Sequence, residues 1–335
     1  MWVLIQYLCN IRNGDDLLHA VNQIALALSA PQAVAPEAPL AMTSKYLYKA
    51  SVKSDASDEL INTYALRPLA GILVRVLYPT RVTPNQVTLA AAACGLVAAA
   101  LYWQGTPLFT AIAGLCLTGK DLLDSADGQL ARAKGMFSRA GRFLDSIGDF
   151  AVNLAVFGAI AVAMIRAGSG AGTALLSLCA FLGVSLRVSY HVFYQTSFLH
   201  LRNAYTGNRT SEEIRTEDAG EDRLTSSLHR TFLVLYGWQD ALMARIDAAC
   251  RGVSGAGEGT DGQWYGDVTG VRLSGFLGLG TELFLLTACS LLNRLDDYLW
   301  INVAGMNLLL MACIAYRGVI LRGKIGGVNP RGRRS

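Results

Sequence analysis

"DLLDSADGQLARAKGMFSRAGRFLDSIGDF", residues 121–150, decides how the rest of the chain is read. Asp124, Asp127, Asp145 and Asp149 stand here between apolar runs, in a chain of 335 residues that is 52% hydrophobic and only 16% charged. Carboxylates beside greasy helices are costly unless something pairs with them. On a helix turning about 100° per residue, Asp127 lies about 60° from Asp124, Gly128 about 40° and Ala131 about 20°. Arg132 follows at about 80°, at the end of the same segment. Asp145 and Asp149 are one turn apart on the next apolar segment, and Gly141 lies one turn before Asp145. A hairpin through "AKGMFSRA", residues 133–140, would bring the two faces together.

Four converging carboxylates repel one another unless cations neutralise them. An all-oxygen set suits Mg²⁺, Mn²⁺ or Ca²⁺ better than Zn²⁺, which favours nitrogen and sulfur. Four carboxylates suffice for two ions about 4 Å apart, an arrangement that clamps phosphate oxygens in displacement reactions. The small residues Gly128, Ala131 and Gly141 leave room for a ligand, and Arg132 adds positive charge for a phosphate. Aspartates that merely cap helix ends or pair with Arg132, Arg139 and Arg142 would not need this shared helical phase.

Working outward, six apolar runs approach the ~20 residues that span a bilayer. They lie at about 86–104, 107–132, 141–166, 171–195, 274–292 and 298–321. One set of connections is poor in Lys and Arg. The other holds Arg132, Lys134, Arg139, Arg142 and Arg202, then Arg317, Arg322, Lys324, Arg331, Arg333 and Arg334. The positive-inside rule puts this second side, and with it the aspartates, in the cytoplasm. The expected architecture is therefore all-α and integral to the membrane, with six transmembrane helices. The expected location is the cell inner membrane, crossed several times, with the aspartates at its cytoplasmic edge.

Residues 58–80, "DELINTYALRPLAGILVRVLYPT", carry an apolar face interrupted by Arg67 and Arg75 and read as an amphipathic helix on the membrane surface. Residues 1–44 read as an N-terminal extension, either flexible or an over-extended start ahead of Met42. Residues 45–82 form the interfacial region, 83–322 the six-span domain, and 323–335 a basic cytoplasmic tail. Within the domain, 203–272 read as a cytoplasmic insertion between the fourth and fifth spans. It contains an acidic loop, a second interfacial helix in "SSLHRTFLVLYGWQDALMARIDAAC" and a flexible linker in "GVSGAGEGTDGQ".

The seven cysteines form no CxxC pair and the four histidines are scattered, so neither set makes a metal site. The net charge of +4 comes without a long basic block, which argues against a nucleic-acid partner. Arg187, with Tyr190 and His191, lies at a depth in the fourth apolar run near that of the aspartates. These three are candidate contacts for the phosphate or head group of an acceptor. Asn85 and Thr88 are candidate nucleotide contacts, although capping explains Asn85 nearly as well. Glu282 is an intramembrane acid, functional or paired with a polar neighbour.

The pattern Asp124-x2-Asp127-Gly128-x2-Ala131-Arg132-x8-Gly141-x3-Asp145-x3-Asp149 resembles, position for position, the signature of the CDP-alcohol phosphotransferase (CDP-alcohol phosphatidyltransferase) family. The resemblance extends to the six-span layout, the interfacial helix and "PNQVT" before the first span. It implies transfer of a phosphate-linked group from a CDP-linked donor to an acceptor alcohol, with release of CMP, in phospholipid biosynthesis. By that resemblance Asp124, Asp127, Asp145 and Asp149 bind two Mg²⁺ or Mn²⁺ ions, and Asp149 is also the catalytic base. Gly128, Ala131, Arg132 and Gly141 would line the nucleotide and diphosphate. A homodimer in the lipid bilayer is implied as well. CDP-diacylglycerol is the favoured donor, with a small polar alcohol or its phosphate as acceptor. The alternative is a CDP-linked head group, of the ethanolamine, choline or inositol type, passed to a lipid or polyol-phosphate acceptor. A divalent-cation channel or transporter would instead place its acids near mid-membrane.

Overall fold

The computed structural model describes Tyr48 and residues 66–202, 222–256 and 259–320. Residues 1–44, the acidic loop at 211–221 and the basic tail at 323–335 lie outside the described residues, as does the first part of the 58–80 helix. Among the described residues there are helices and no strands.

The first helix, α1 (Arg67–Leu77), buries Arg67, Ala70, Gly71 and Val74 and exposes Leu69, Ile72 and Val76. It is amphipathic with apolar groups on both faces, as expected of a helix that meets protein on one side and lipid on the other. The next helix, α2 (Pro84–Gln104), starts at a capping box in which the Thr83 hydroxyl and the Gln86 amide oxygen each accept a backbone N–H of the other residue. A two-residue link then turns the chain into α3 (Pro107–Lys134). Gly135, at φ 65°, ends α3 in the left-handed conformation that glycine adopts without strain. Three residues later Ser138 opens α4 (Arg139–Arg166) by accepting the N–H of Gly141 at 2.9 Å. The remaining helices are α5 (Gly172–Leu201), α6 (Arg223–Ser254), α7 (Asp261–Trp264), α8 (Val268–Gly275), α9 (Leu279–Leu291), α10 (Leu295–Trp300) and α11 (Asn307–Ala315). Wider π-helical turns at Ile301–Met306 and Tyr316–Ile320 flank α11.

Five stretches are long and apolar enough to cross a membrane: Pro84–Gln104, Arg139–Arg166, Gly172–Leu201, Val268–Leu291 and Leu295–Val319. The protein is thus an all-α, multi-pass membrane protein. The second expected span, α3, does not meet that measure. Its 28 residues are ample in length, but Lys120, Asp121, Asp124 and Asp127 break the apolar run in its second half. Elsewhere the boundaries move. The helix expected within the 203–272 segment runs the full 32 residues of α6, and "DGQ", the end of the expected linker, is helical together with Trp264. The fifth span begins at Val268, broken at 276–278 between α8 and α9.

Small residues let the helices close. A Cβ on Gly95 would meet the Val152 side chain at 2.5 Å, and one on Gly114 would meet Ser290 at 2.8 Å. Where α3 and α9 approach, the Thr287 hydroxyl donates to the Gly114 carbonyl at 2.9 Å and Ser290 pairs with Tyr102 at 2.6 Å. Such contacts between small and hydroxyl side chains replace the hydrophobic drive that helices lack in lipid. The main core joins α2, α3, α4, α5, α9 and α10 through residues such as Tyr102, Leu117, Ile160, Phe181 and Leu286.

Behind this core lies an ion pair. Arg187 on α5 is fully buried and donates to Glu282 on α9 from both Nε and Nη2. Its Nη1 donates to the Asn302 carbonyl at 3.2 Å and to Asn307 Oδ1 at 2.7 Å, while Asn302 Nδ2 donates to the second Glu282 oxygen at 2.9 Å. Glu282 is therefore the paired acid of its two sequence readings. Each charge is satisfied, and removing one strands the other. Arg187→Leu should therefore destabilise the protein by about 3–5 kcal/mol. The double replacement Arg187→Leu/Glu282→Leu should cost markedly less, and thermal unfolding in detergent measures both.

Candidate functional site

The hairpin between α3 and α4 sets the site. Both helices carry their aspartates near the 135–138 turn, so the two acidic faces lie side by side. One carboxylate oxygen from each of Asp124, Asp127 and Asp145 lies within 4.8 Å of the others. That spacing and all-oxygen chemistry fit one hard divalent cation. Thr88 on α2 donates a short hydrogen bond to Asp127, which fixes that carboxylate and ties α2 to α3.

Asp149 stands apart from the three. Its carboxylate makes an ion pair with Lys120, which is 3% exposed and whose Nζ also lies 3.9 Å from Asp124 Oδ1. The sequence reading missed Lys120. Its signal was available, since it precedes Asp124 by one helical turn, but a lysine in that position usually forms a surface pair along a helix.

A cavity of about 600 Å³ opens beside the aspartates. Asn85, Thr88, Asp127, Gly128, Ala131, Arg132, Gly141, Asp145 and Asp149 all line it, so the structure gathers most of the predicted residues on one surface. Asp124 belongs to the cluster without lining the cavity. A Cβ on Gly141 would meet Asn85 Oδ1 at 2.5 Å and Ser138 Oγ at 2.8 Å. Glycine there permits the close approach of α2 to the start of α4. Gly128 is less constrained, since its nearest neighbour would be Arg132 Nη1 at 3.4 Å.

Arg187, Tyr190 and His191 are not brought to the cavity. Arg187 is committed to Glu282, Tyr190 packs edge-on against Tyr194, and His191 Nδ1 meets Ser274 Oγ at 3.1 Å. The face of α5 that does line the cavity is the neighbouring one, with Ser185, Val188 and Ser189. Arg139 and Arg142, read only as loop charges in the sequence, are also in the wall.

Helix α6 supplies the far side, with Phe232, Tyr236 and Asp240. No local pattern in the sequence pointed to these residues, because their role depends on where α6 docks. Docking is specific. The Tyr236 hydroxyl donates to the Ser146 carbonyl at 2.8 Å, and Phe143 stacks on His229 with ring centroids 4.8 Å apart. At the other end of α6, buried Asp247 accepts from Tyr194, Trp264 and Tyr265, each at 2.8 Å.

The cavity has two characters. Its lining holds the basic residues Arg132, Arg139 and Arg142 and the apolar residues Phe150, Phe181, Val184 and Leu279. A carboxylate cluster of this geometry, beside a cavity with basic and apolar lining, has the oxygen ligands for a hard divalent cation and basic side chains that suit phosphate. Residues 81–208, from just before α2 to just beyond α5, match the model of the CDP-alcohol phosphatidyltransferase family, a family of transferases, so this segment is similar to its members. The match supports a CDP-alcohol phosphotransferase activity. No curated protein matches the chain.

Because Gly141 and Asn85 share one wall, Gly141→Ala should push the Asn85 side chain into the cavity. The expected result is a folded protein whose CMP release from a CDP-linked donor falls about 10²-fold, the scale of a misplaced site. Unchanged turnover would mean that this wall does not touch the substrate.

Proposed function

We propose that the chain transfers a phosphatidyl group from CDP-diacylglycerol to a small polar alcohol, or to its phosphate, and releases CMP. The observation that carries this reading is the cluster of Asp124, Asp127 and Asp145 at a cavity that Asp149 also lines and whose lining holds both basic and apolar side chains. The apolar lining suits a substrate with acyl chains that enters from the bilayer. The basic lining suits the nucleotide diphosphate, and Arg139 and Arg142 suit an additional phosphate on the acceptor. Arg187 no longer supports a phosphorylated acceptor, since it is spent on Glu282.

A divalent cation, Mg²⁺ or Mn²⁺, would be held by Asp124, Asp127 and Asp145, where it polarises the diphosphate and stabilises charge on the leaving group. The chain's own groups do the rest. Thr88 holds Asp127 in register. Arg132 is placed to draw the diphosphate toward α3. Asp149, on the acceptor side, accepts the hydroxyl proton as the acceptor oxygen forms its bond to the β-phosphorus. The bond from that phosphorus to the CMP oxygen breaks, and CMP takes the electron pair. The apolar lining of the cavity keeps bulk water from competing as the acceptor.

The basic connections, read by the positive-inside rule, support a cavity at the cytoplasmic face, where nucleotide-linked substrates and the soluble alcohol arrive from water. α3 then serves as the sixth span, polar at its cytoplasmic end, and the inner membrane and a homodimer follow the family resemblance.

A matrix of CDP-linked donors against alcohol acceptors, scored by CMP release and lipid product, tests the reading. CDP-diacylglycerol should be turned over only with divalent cation present, chelation should abolish turnover, and added Mn²⁺ or Mg²⁺ should restore it. Asp149→Asn should lower turnover by about 10²–10⁴-fold. Turnover restricted to CDP-linked head groups with a lipid alcohol would reverse the donor assignment, and full activity in Asp149→Asn would remove the base.

A further inference from the structure

Helix α6 meets the cavity along a stripe. Phe232, Tyr236 and Asp240 are four residues apart, so they share one helix face, and all three line the cavity. Tyr236 ties this stripe to the site, because its hydroxyl donates to the carbonyl of Ser146, the residue after Asp145. One turn further, about 6 Å along the helix, α6 meets α5. There the buried Gln239 takes two hydroxyls on one oxygen. Ser189 Oγ donates to Gln239 Oε1 at 2.6 Å and Ser185 Oγ donates to it at 3.1 Å. Gln239 Nε2 donates to the Leu235 carbonyl at 3.0 Å, and a carbonyl can only accept, so the orientation of the amide is fixed.

This contact sets what the two serines can offer. Each hydroxyl has a single proton, and Gln239 takes both. Ser185 and Ser189 therefore present lone pairs alone to the cavity that they line. Asp240, next to Gln239, adds a negative charge and a carboxylate that can accept several hydrogen bonds. Acceptors and a negative charge beside two aromatic rings favour a group that is positive and carries N–H bonds. They oppose a phosphate, which brings more acceptor oxygens and more negative charge.

We propose that Ser185, Ser189 and Asp240 form the subsite for the end of the acceptor alcohol remote from its reacting hydroxyl, and that this end is a protonated amine. The acceptor class is then a short amino alcohol, and Gln239 is a positioning residue that orients the serine hydroxyls. The inference rests on the phosphotransferase reading and selects the unphosphorylated acceptor within it. Arg139 and Arg142 then serve the nucleotide diphosphate together with Arg132. Gln239 and Asp240 lie beyond the 81–208 segment, so this selection is contributed by α6.

The test offers the purified full-length protein, in detergent with CDP-diacylglycerol and Mn²⁺, one alcohol at a time: 2-aminoethanol, choline, ethylene glycol or glycerol 3-phosphate. CMP release gives kcat and KM for each. 2-Aminoethanol should be preferred. Choline keeps the charge without an N–H, and ethylene glycol keeps a hydrogen-bond donor without the charge, so kcat/KM for both should be about 10–100-fold lower. Glycerol 3-phosphate should be poorer still. Asp240→Asn should shrink the preference for 2-aminoethanol over ethylene glycol by about 10-fold, through KM rather than kcat. Ser185→Ala/Ser189→Ala should shrink the preference for 2-aminoethanol over choline. A contact that only docks α6 would shift thermal stability and leave both ratios alone. A preference for choline or glycerol 3-phosphate, or an unchanged ratio in Asp240→Asn, would overturn the inference and leave the transferase reading intact. No CMP release from any CDP-linked donor with any alcohol would overturn both. Should the double serine variant not fold, Asp240→Asn and the wild-type order of acceptors decide the matter.

Discussion

The structure depends on mutual repulsion among carboxylates in a poorly solvated place. Asp124, Asp127, Asp145 and Asp149 come from two helices that would separate if nothing opposed their charge. Several features hold those helices in register. Gly135 and Ser138 make a tight, capped turn between α3 and α4, and Gly141 allows α2 to approach. Thr88 clamps Asp127 from a third helix, while Lys120 links Asp124 to Asp149 from within α3. A divalent cation held by Asp124, Asp127 and Asp145, as proposed, would finish the neutralisation.

The rest of the fold keeps charge and shape fixed around that point. On the far side of α5, the Arg187–Glu282 pair and the two asparagines that satisfy it join α5 to α9 and to the π-helical turn at Ile301–Met306. Wide turns of this kind free a carbonyl, and here the Asn302 carbonyl accepts from Arg187. Beside the cavity α6 is fastened at both ends, to α4 through Tyr236 and His229 and to α5 and α7 through Asp247. The segment that looked like an insertion is thus a wall of the cavity, lying beyond the 81–208 stretch that carries the family match.

Most of the cluster was legible because its information is local. Residues three and four apart share a helix face, so the spacing of Asp124, Asp127, Asp145 and Asp149 encodes their convergence once a hairpin is granted. Arg187 shows the opposite case. Its partner Glu282 is 95 residues away in sequence, and nothing in either local pattern says that they meet. Lys120 was overlooked because a lysine beside aspartates on a helix has an ordinary solvated reading, and only packing reveals that its ammonium is walled in. Of the six expected spans, α3 does not meet the measure of length and hydropathy for an instructive reason: the charges that make the site are those that break its apolar run. The residues of α6 were invisible because a helix's amphipathic pattern says that it docks but not against what.

Anomalous diffraction from crystals soaked with Mn²⁺ and CMP tests the central claim most directly. The account predicts a manganese peak bounded by Asp124, Asp127 and Asp145, with the CMP phosphate beside it on the Arg132 side of the cavity. A manganese peak elsewhere, with those three carboxylates empty, would contradict it.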